Sequence, residues 1–409
     1  MAMDLFWKMD GKIFSNQLRR SEMKEMHSRR KAMRILIIAM SNLENDPRVF
    51  RQISGLSKNH DVTCMGYHHP GIEQVKFIQI ESARRTIFEK FFLVALVFSH
   101  CYDAYLQGKL KNLYQLKQKV LPENFDVIIA NDIDTLPFAL EIKNNAKILF
   151  DAHEYSPREF EDLWLWKLLY QKYRFYQCRK YIPQCDKMIT VCDGIADEYQ
   201  KNFEITPDVI TNATKFEDLM PLTVNPEKIR IIHHGGVNPS RKIEKMIEMM
   251  DFVDTRFTLD LMLVQPEGSS TYFSELKKMV ENRTNVRFVD PVPMGEIVRR
   301  INHYDIGFYI LEPNSFNHLH ALPNKLFEFI QARLAIAIGP SPEMSKIVTE
   351  YDLGIISDDF APESMAKRLN NLTADQIIYY KIQSHKAANA LSSEANMEKL
   401  ERMIRDQFS

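Results

Sequence analysis

Residues 34–40 read RILIIAM, in which Ile35 to Met40 run without a polar residue between them. Alternating polar positions would mark a strand with one wet face; their absence marks a strand covered on both faces, as in parallel sheets. Such a strand requires helices on either side. The sequence supplies them, because SNLENDP follows as a loop and a helix is expected from about Arg48 to Lys58. Further apolar runs at DVTCMG, VKFIQI, DVIIA, KILF and KMITV are mostly separated by helical stretches. Strand alternating with helix predicts an open α/β sheet, whose ligands sit at the carboxyl ends of the strands.

The pattern restarts after EDLMPLTVNPEK, residues 217–228, a Pro-punctuated piece without clear periodicity that reads as a linker. Beyond it IRIIH, TLDLMLV, VRFV, DIGFYIL, LAIAI and GIIS again alternate with helices. The expectation is two Rossmann-like parallel-sheet domains, 33–222 and 223–385, followed by a solvated C-terminal helical tail, 386–409. Residues 1–32 are polar and Met-rich. They read as a dispensable extension, either disordered or upstream of a true start at Met33, with an amphipathic membrane-contact helix as the alternative.

The chain has 409 residues and 45% hydrophobic content, enough for two ordinary cores. Its 53 basic residues against 54 acidic ones give no general attraction to nucleic acid. Five cysteines, with no C-x-x-C pair, provide neither a disulfide framework nor a zinc ribbon. No apolar run approaches the roughly twenty residues of a membrane span, and the N-terminus lacks signal-peptide order. A cytoplasmic protein is expected, with peripheral contact to the inner face of the membrane left open. Two stretches raise that contact: IFEKFFLVALVF (87–98) and WLWKLLYQKYRFYQCRKY (164–181). Core packing with a solvated face explains them equally well.

Chemistry is concentrated in two places. In NHLHALPNKLFE (317–328), Pro323 is expected at the first position of a helix, Asn324 and Lys325 in its first turn, and Glu328 one turn on. A helix mouth with unpaired N–H groups and a lysine suits a diphosphate, and Glu328 would face ribose hydroxyls. The competing reading is an ordinary amphipathic helix with Lys325 and Glu328 in solvent. In HHGGVNPSRK (233–242), Gly235 and Gly236 permit close backbone approach, and Arg241 offers a charged contact to phosphate. No G-x-G-x-x-G follows the first strand, and no P-loop is present.

These residues carry a resemblance. NDPRVFRQISGL, DVIIANDIDTL, ILFDAHEY and KMITVCDGIADEY, then GGVNPSRKIEKMIEMM, VRFVDPVPMGEIVRRINHYDIGF and LPNKLFEFIQARLAIAIGPSPEMSKIV, resemble the GT-B-fold retaining glycosyltransferases of family 4, in the family's order. The likeness runs from Met33 onward. It implies a metal-independent enzyme without cofactor, which moves a sugar from a nucleoside-diphosphate sugar to an acceptor hydroxyl. A glycan or lipid-linked acceptor in bacterial surface-polysaccharide or glycolipid assembly would fit. The family's E-x7-E element places Glu328 on the ribose; His320 stands where the family has an acidic residue near the donor sugar. The resemblance further implies that Gly235, Gly236, Arg241, Asn324 and Lys325 hold the donor, with Arg241 and Lys325 stabilising the departing diphosphate. By the same resemblance His153 would face the donor sugar and acceptor, while Asp46, Arg48, Asp151 and Glu154 are acceptor-side candidates from their position beside the predicted cleft.

Alternatives stay open. His153 and its neighbours can equally cap a helix, and Asp46 with Arg48 can be a local pair shaping a turn. Asp132 and Asp134 form a D-x-D triplet for which turn and capping roles are preferred over a metal site. A GT-B sugar-nucleotide epimerase and a non-catalytic GT-B binding subunit are the competing functions.

Overall fold

The computed structural model describes residues 32–82, 85–265 and 270–408; the expectation for the extension falls outside them. Two sheets form, every pairing in them parallel. The first contains β1 (Arg34–Ile38), β2 (Asp61–Gly66), β3 (Lys76–Gln79), β4 (Val127–Asn131), β5 (Lys147–Ala152), β6 (Lys187–Thr190) and β7 (Asp208–Val209), in the order β3-β2-β1-β4-β5-β6-β7. The second contains β8 (Ile229–Gly236), β9 (Phe257–Val264), β10 (Val286–Val289), β11 (Ile306–Tyr309), β12 (Ala335–Ile338) and β13 (Gly354–Ile356), in the order β10-β9-β8-β11-β12-β13. This is the GT-B architecture of two Rossmann-like domains. Every strand expected from sequence is present. The addition is β7, two residues too short to stand out.

In each sheet the chain order reverses once, between β1 and β4 and between β8 and β11. At these points the loops leaving neighbouring strands diverge and open a crevice at the carboxyl edge. Ile35 to Ile38 are fully buried, as a strand covered on both faces requires. The helix Pro47–Leu56 covers one face of the first sheet; Asp46 caps it by accepting from Val49 N–H at 3.2 Å.

Two expectations need correction. The C-terminal tail is not a solvated appendage, because the helix Ser393–Phe408 returns to the first domain and packs on Pro47–Leu56. Leu400 and Ile404 enter that domain's core, and Glu401 meets His60 at 3.0 Å. Pro323 does not occupy the first helical position: the helix is Asn324–Gln331, and Pro323 precedes it in extended conformation. The linker is held by Arg333, a fully buried residue whose guanidinium donates to the carbonyls of Glu217 (2.5 Å) and Leu219 (3.1 Å).

Candidate functional site

The second-domain crevice opens where β8 ends in Gly235 and Gly236 and β11 ends in Tyr309. Gly235 adopts φ +132°, a conformation that side chains disfavour, and an added Cβ would come within 3.3 Å of both Arg241 Nη1 and Lys325 Nζ. Two cations therefore converge on one stretch of bare backbone. Arg241 lies in the 3-10 turn Pro239–Arg241, not in a helix mouth, and donates to Gly236 O at 3.0 Å. Lys325 comes from the first turn of Asn324–Gln331, where its ammonium lies 3.8 Å from the centroid of the Tyr309 ring. Lys325 is 6% exposed, and its Nζ has no hydrogen-bond partner. A buried ammonium without an acceptor is costly. Burial, reinforced by Arg241, holds its pKa well below that of a free lysine.

Glu328, 9% exposed, faces this pair from one turn further along the helix. The reading that left Lys325 and Glu328 in solvent is thus wrong: both point inward. Burial raises the Glu328 carboxyl to about 7 against the opposing pull of Lys325 and Arg51. Its neighbour His234, 3.4 Å away, is pushed down to about 3 by burial and by Lys325 and Arg241. That imidazole is neutral, so the contact is dipolar and not an ion pair. His233 behaves likewise, with its ring stacked on Tyr309 and its pKa lowered mainly by burial. Among the described residues no cluster of three or more His, Cys, Asp or Glu could hold a metal ion.

The raised Glu328 pKa has a consequence for stability. Its carboxyl is protonated more readily in the folded than in the unfolded chain, so the fold is unburdened at acid pH and penalised as pH rises through about 7. Glu328→Gln should therefore stabilise the nucleotide-free protein, with the advantage over wild type growing by roughly 2 kcal/mol between about pH 5.5 and about pH 8. Paired thermal melts measure it; an advantage that shrank with pH would refute the assignment.

His320 lies at the boundary between the domains. Its Nδ1 is 2.8 Å from Glu343 Oε1, its ring packs on Phe316, and its carbonyl accepts from Cys192 Sγ. Glu343 also accepts from Gly194 N–H at 3.1 Å. A carboxylate therefore does stand in this region, supplied through the imidazole by a residue on the helix Pro342–Glu350. Sequence reading missed Glu343, because nothing in its spacing connects it to His320. Asn324 is tied across the cleft: Arg51 Nη2 donates to its Oδ1 at 3.0 Å. Arg51, also unforeseen, loses basicity through burial, its pKa falling to about 10.

The first-domain crevice holds a cavity of about 140 Å³, whose lining includes Asp46, Asp132, Glu154, Glu159 and Arg174. Glu154 is pushed well above the usual carboxylate range by burial and by Glu159. It accepts from Asn317 Nδ2 at 3.2 Å, and Tyr155 N–H donates to Asn317 Oδ1 at 2.9 Å, joining the domains beside the cavity. Of the four acceptor-side candidates, Asp46 and Glu154 line this space. Arg48 and Asp151 do not. Arg48 closes on Asp151 with Nε to Oδ2 at 2.8 Å and Nη2 to Oδ1 at 2.7 Å, and it also reaches Ile210 O at 2.7 Å. The local Asp46–Arg48 pair is likewise replaced: Asp46 receives the Ser41 hydroxyl at 2.8 Å.

His153 follows β5. Its Nε2 is 3.0 Å from Asn131 Oδ1 and its Nδ1 3.4 Å from Asp132 Oδ2. The D-x-D triplet has split roles. Asp132, at φ +62°, accepts from His153 N–H, while Asp134 is held below the usual range by Arg174 and Lys109.

No protein-family model and no curated protein sequence matches the chain. Solved structures match its fold. HepE from Anabaena, in complex with UDP and glucose, superposes with a TM-score of 0.66 over 91% of this chain and 100% of its own, at 10% identity. Sucrose-phosphate synthase from Thermosynechococcus elongatus gives 0.68 over 92% and 99%, at 11% identity. The α,α-trehalose 6-phosphate synthase from Burkholderia multivorans gives 0.67 over 92% and 99%, at 10% identity.

Proposed function

We propose that the protein is a retaining glycosyltransferase of family 4 type, using a nucleoside-diphosphate sugar as donor and a glycan or glycolipid hydroxyl as acceptor in bacterial surface-polysaccharide or glycolipid assembly. The observation that carries this reading is Lys325, a buried ammonium with no acceptor, placed beside Arg241 and the bare Gly235 backbone at the β8/β11 crevice. A diphosphate supplies the acceptor that Lys325 lacks and offers Arg241 a charged one beside the Gly236 carbonyl it already meets. The similarity in fold to HepE, recorded with UDP and glucose, supports the same reading.

In this mechanism Lys325 and Arg241 draw the developing charge of the leaving diphosphate, work that requires no metal ion in their presence. Glu328 receives the ribose hydroxyls, and the raised pKa lets it accept or donate there. His320, backed by Glu343, takes the position beside the donor sugar. The acceptor hydroxyl enters from the first-domain cavity on the same face as the leaving group, whose oxygen takes the proton. His153, fixed by Asn131 and Asp132, orients the two sugars and polarises the incoming hydroxyl.

The test is release of nucleoside diphosphate from a panel of sugar nucleotides, with and without acceptor extracts, and with product analysis. Transfer predicts release that depends on acceptor and yields a glycosylated product, and about 10²-fold slower turnover in His153→Ala. A rearranged or hydrolysed donor without acceptor dependence would instead identify an epimerase-like activity. Binding without any release would identify a binding subunit. Full activity in His153→Ala would remove that residue from the mechanism.

A further inference from the structure

We propose that the first domain docks on an anionic phospholipid bilayer through the helices Ile87–Phe98 and Trp164–Leu169, with lipid phosphates drawn to the cationic face of the adjoining helix Gln171–Tyr181. The first two helices pack against each other. Phe88 is 87% exposed and Trp164 74%, and Phe91, Phe92, Phe98 and Leu168 are each more than three-fifths exposed. At 100° per residue, the exposed large apolar residues of Ile87–Phe98 occupy one arc of about 160°. Leu93, Leu96 and Val97 face the protein. A helix with its inner side already packed and an aromatic arc left in water is built for insertion at an interface.

Charge selects the partner. Lys90, Lys167, Lys172 and Arg179 are exposed around the apolar surface. Lys172 and Arg179 join Phe175, Tyr176 and Lys180 in lining a groove of about 550 Å³. A second pocket, of about 210 Å³, has Arg85 and Lys111 against a single carboxylate, Glu89, in its lining beside Phe92, Leu93 and Leu96. Cations beside apolar walls match a lipid phosphate with the first carbons of its chains. A second copy of the chain fits less well, because a twofold contact sets the same surface against itself and brings these cations together. On its other, buried side the same helix Gln171–Tyr181 supplies Arg174 to the lining of the first-domain cavity.

Co-sedimentation of the full chain with vesicles of phosphatidylcholine, alone or with about one-third phosphatidylglycerol, tests this without reference to any transfer reaction. At low salt the protein should pellet with the anionic vesicles at least about tenfold more strongly than with the neutral ones. Phe88→Ser/Phe91→Ser/Trp164→Ser should weaken binding to both by about tenfold or more, and Lys172→Gln/Arg179→Gln should reduce the anionic preference alone. All altered residues are at the surface, so circular dichroism melts should match wild type. Absence of sedimentation, equal binding to both compositions, or a dimeric mass abolished by the triple variant without lipid binding would each overturn the proposal.

Discussion

Lys325→Met should lower acceptor-dependent turnover by about 10²- to 10³-fold, the loss expected on removing a donor aimed at developing charge. Nucleoside-diphosphate affinity should fall by roughly 1.5–3 kcal/mol, the worth of a charged hydrogen bond. The same substitution should not destabilise the nucleotide-free protein. Lys325 Nζ donates to nothing, and burial depresses its pKa, so the folded state disfavours the ammonium. By linkage that penalty is present below the folded pKa and fades as pH rises toward the unfolded value. Methionine keeps the volume and packs on Tyr309 without a charge. Loss of activity with gain of stability distinguishes a ligand-binding lysine from a structural one. Lost stability together with retained turnover would place Lys325 in the fold and outside the chemistry.

Arg48→Met should have the opposite profile, destabilising the protein by about 3–5 kcal/mol. Arg48 and Asp151 are 8% and 0% exposed at their side chains and form two parallel hydrogen bonds. Removing the guanidinium leaves Asp151 buried, with Gln52 as its one remaining neutral side-chain donor within hydrogen-bonding distance. The Arg48→Met/Asp151→Leu double variant should recover much of the loss, because neither charge is then stranded. Denaturant midpoints measure both. Equal destabilisation in the single and double variants would show that the pair's value lies in packing and not in charge.

The fold was legible because its evidence is local. RILIIAM and the runs like it are strands whichever neighbours they acquire, and alternation with helices limits the sheet to parallel order. The residues of the proposed donor site were legible for a related reason: Gly235, Gly236 and Arg241 fall within one short stretch, and Lys325 and Glu328 within another. What escaped depends on distant partners. Asp151 lies 103 residues from Arg48, so their positions beside the predicted cleft gave no sign that the two close on each other. Glu343 reaches His320 from another helix, and Arg51 reaches Asn324 from another domain. The C-terminal helix looked solvated because its charged residues outnumber the few, Leu400, Met403 and Ile404, that dock it.

The crevice between Gly235, Arg241 and Lys325 should bind a nucleoside diphosphate. Thermal melts of the wild-type protein with UDP, GDP, ADP and CMP test it most directly. One diphosphate, at a hundred times its dissociation constant, should stabilise the fold by about 2.7 kcal/mol, and Lys325→Met should remove most of that shift. Unchanged melting of the folded protein with every nucleotide would contradict the claim.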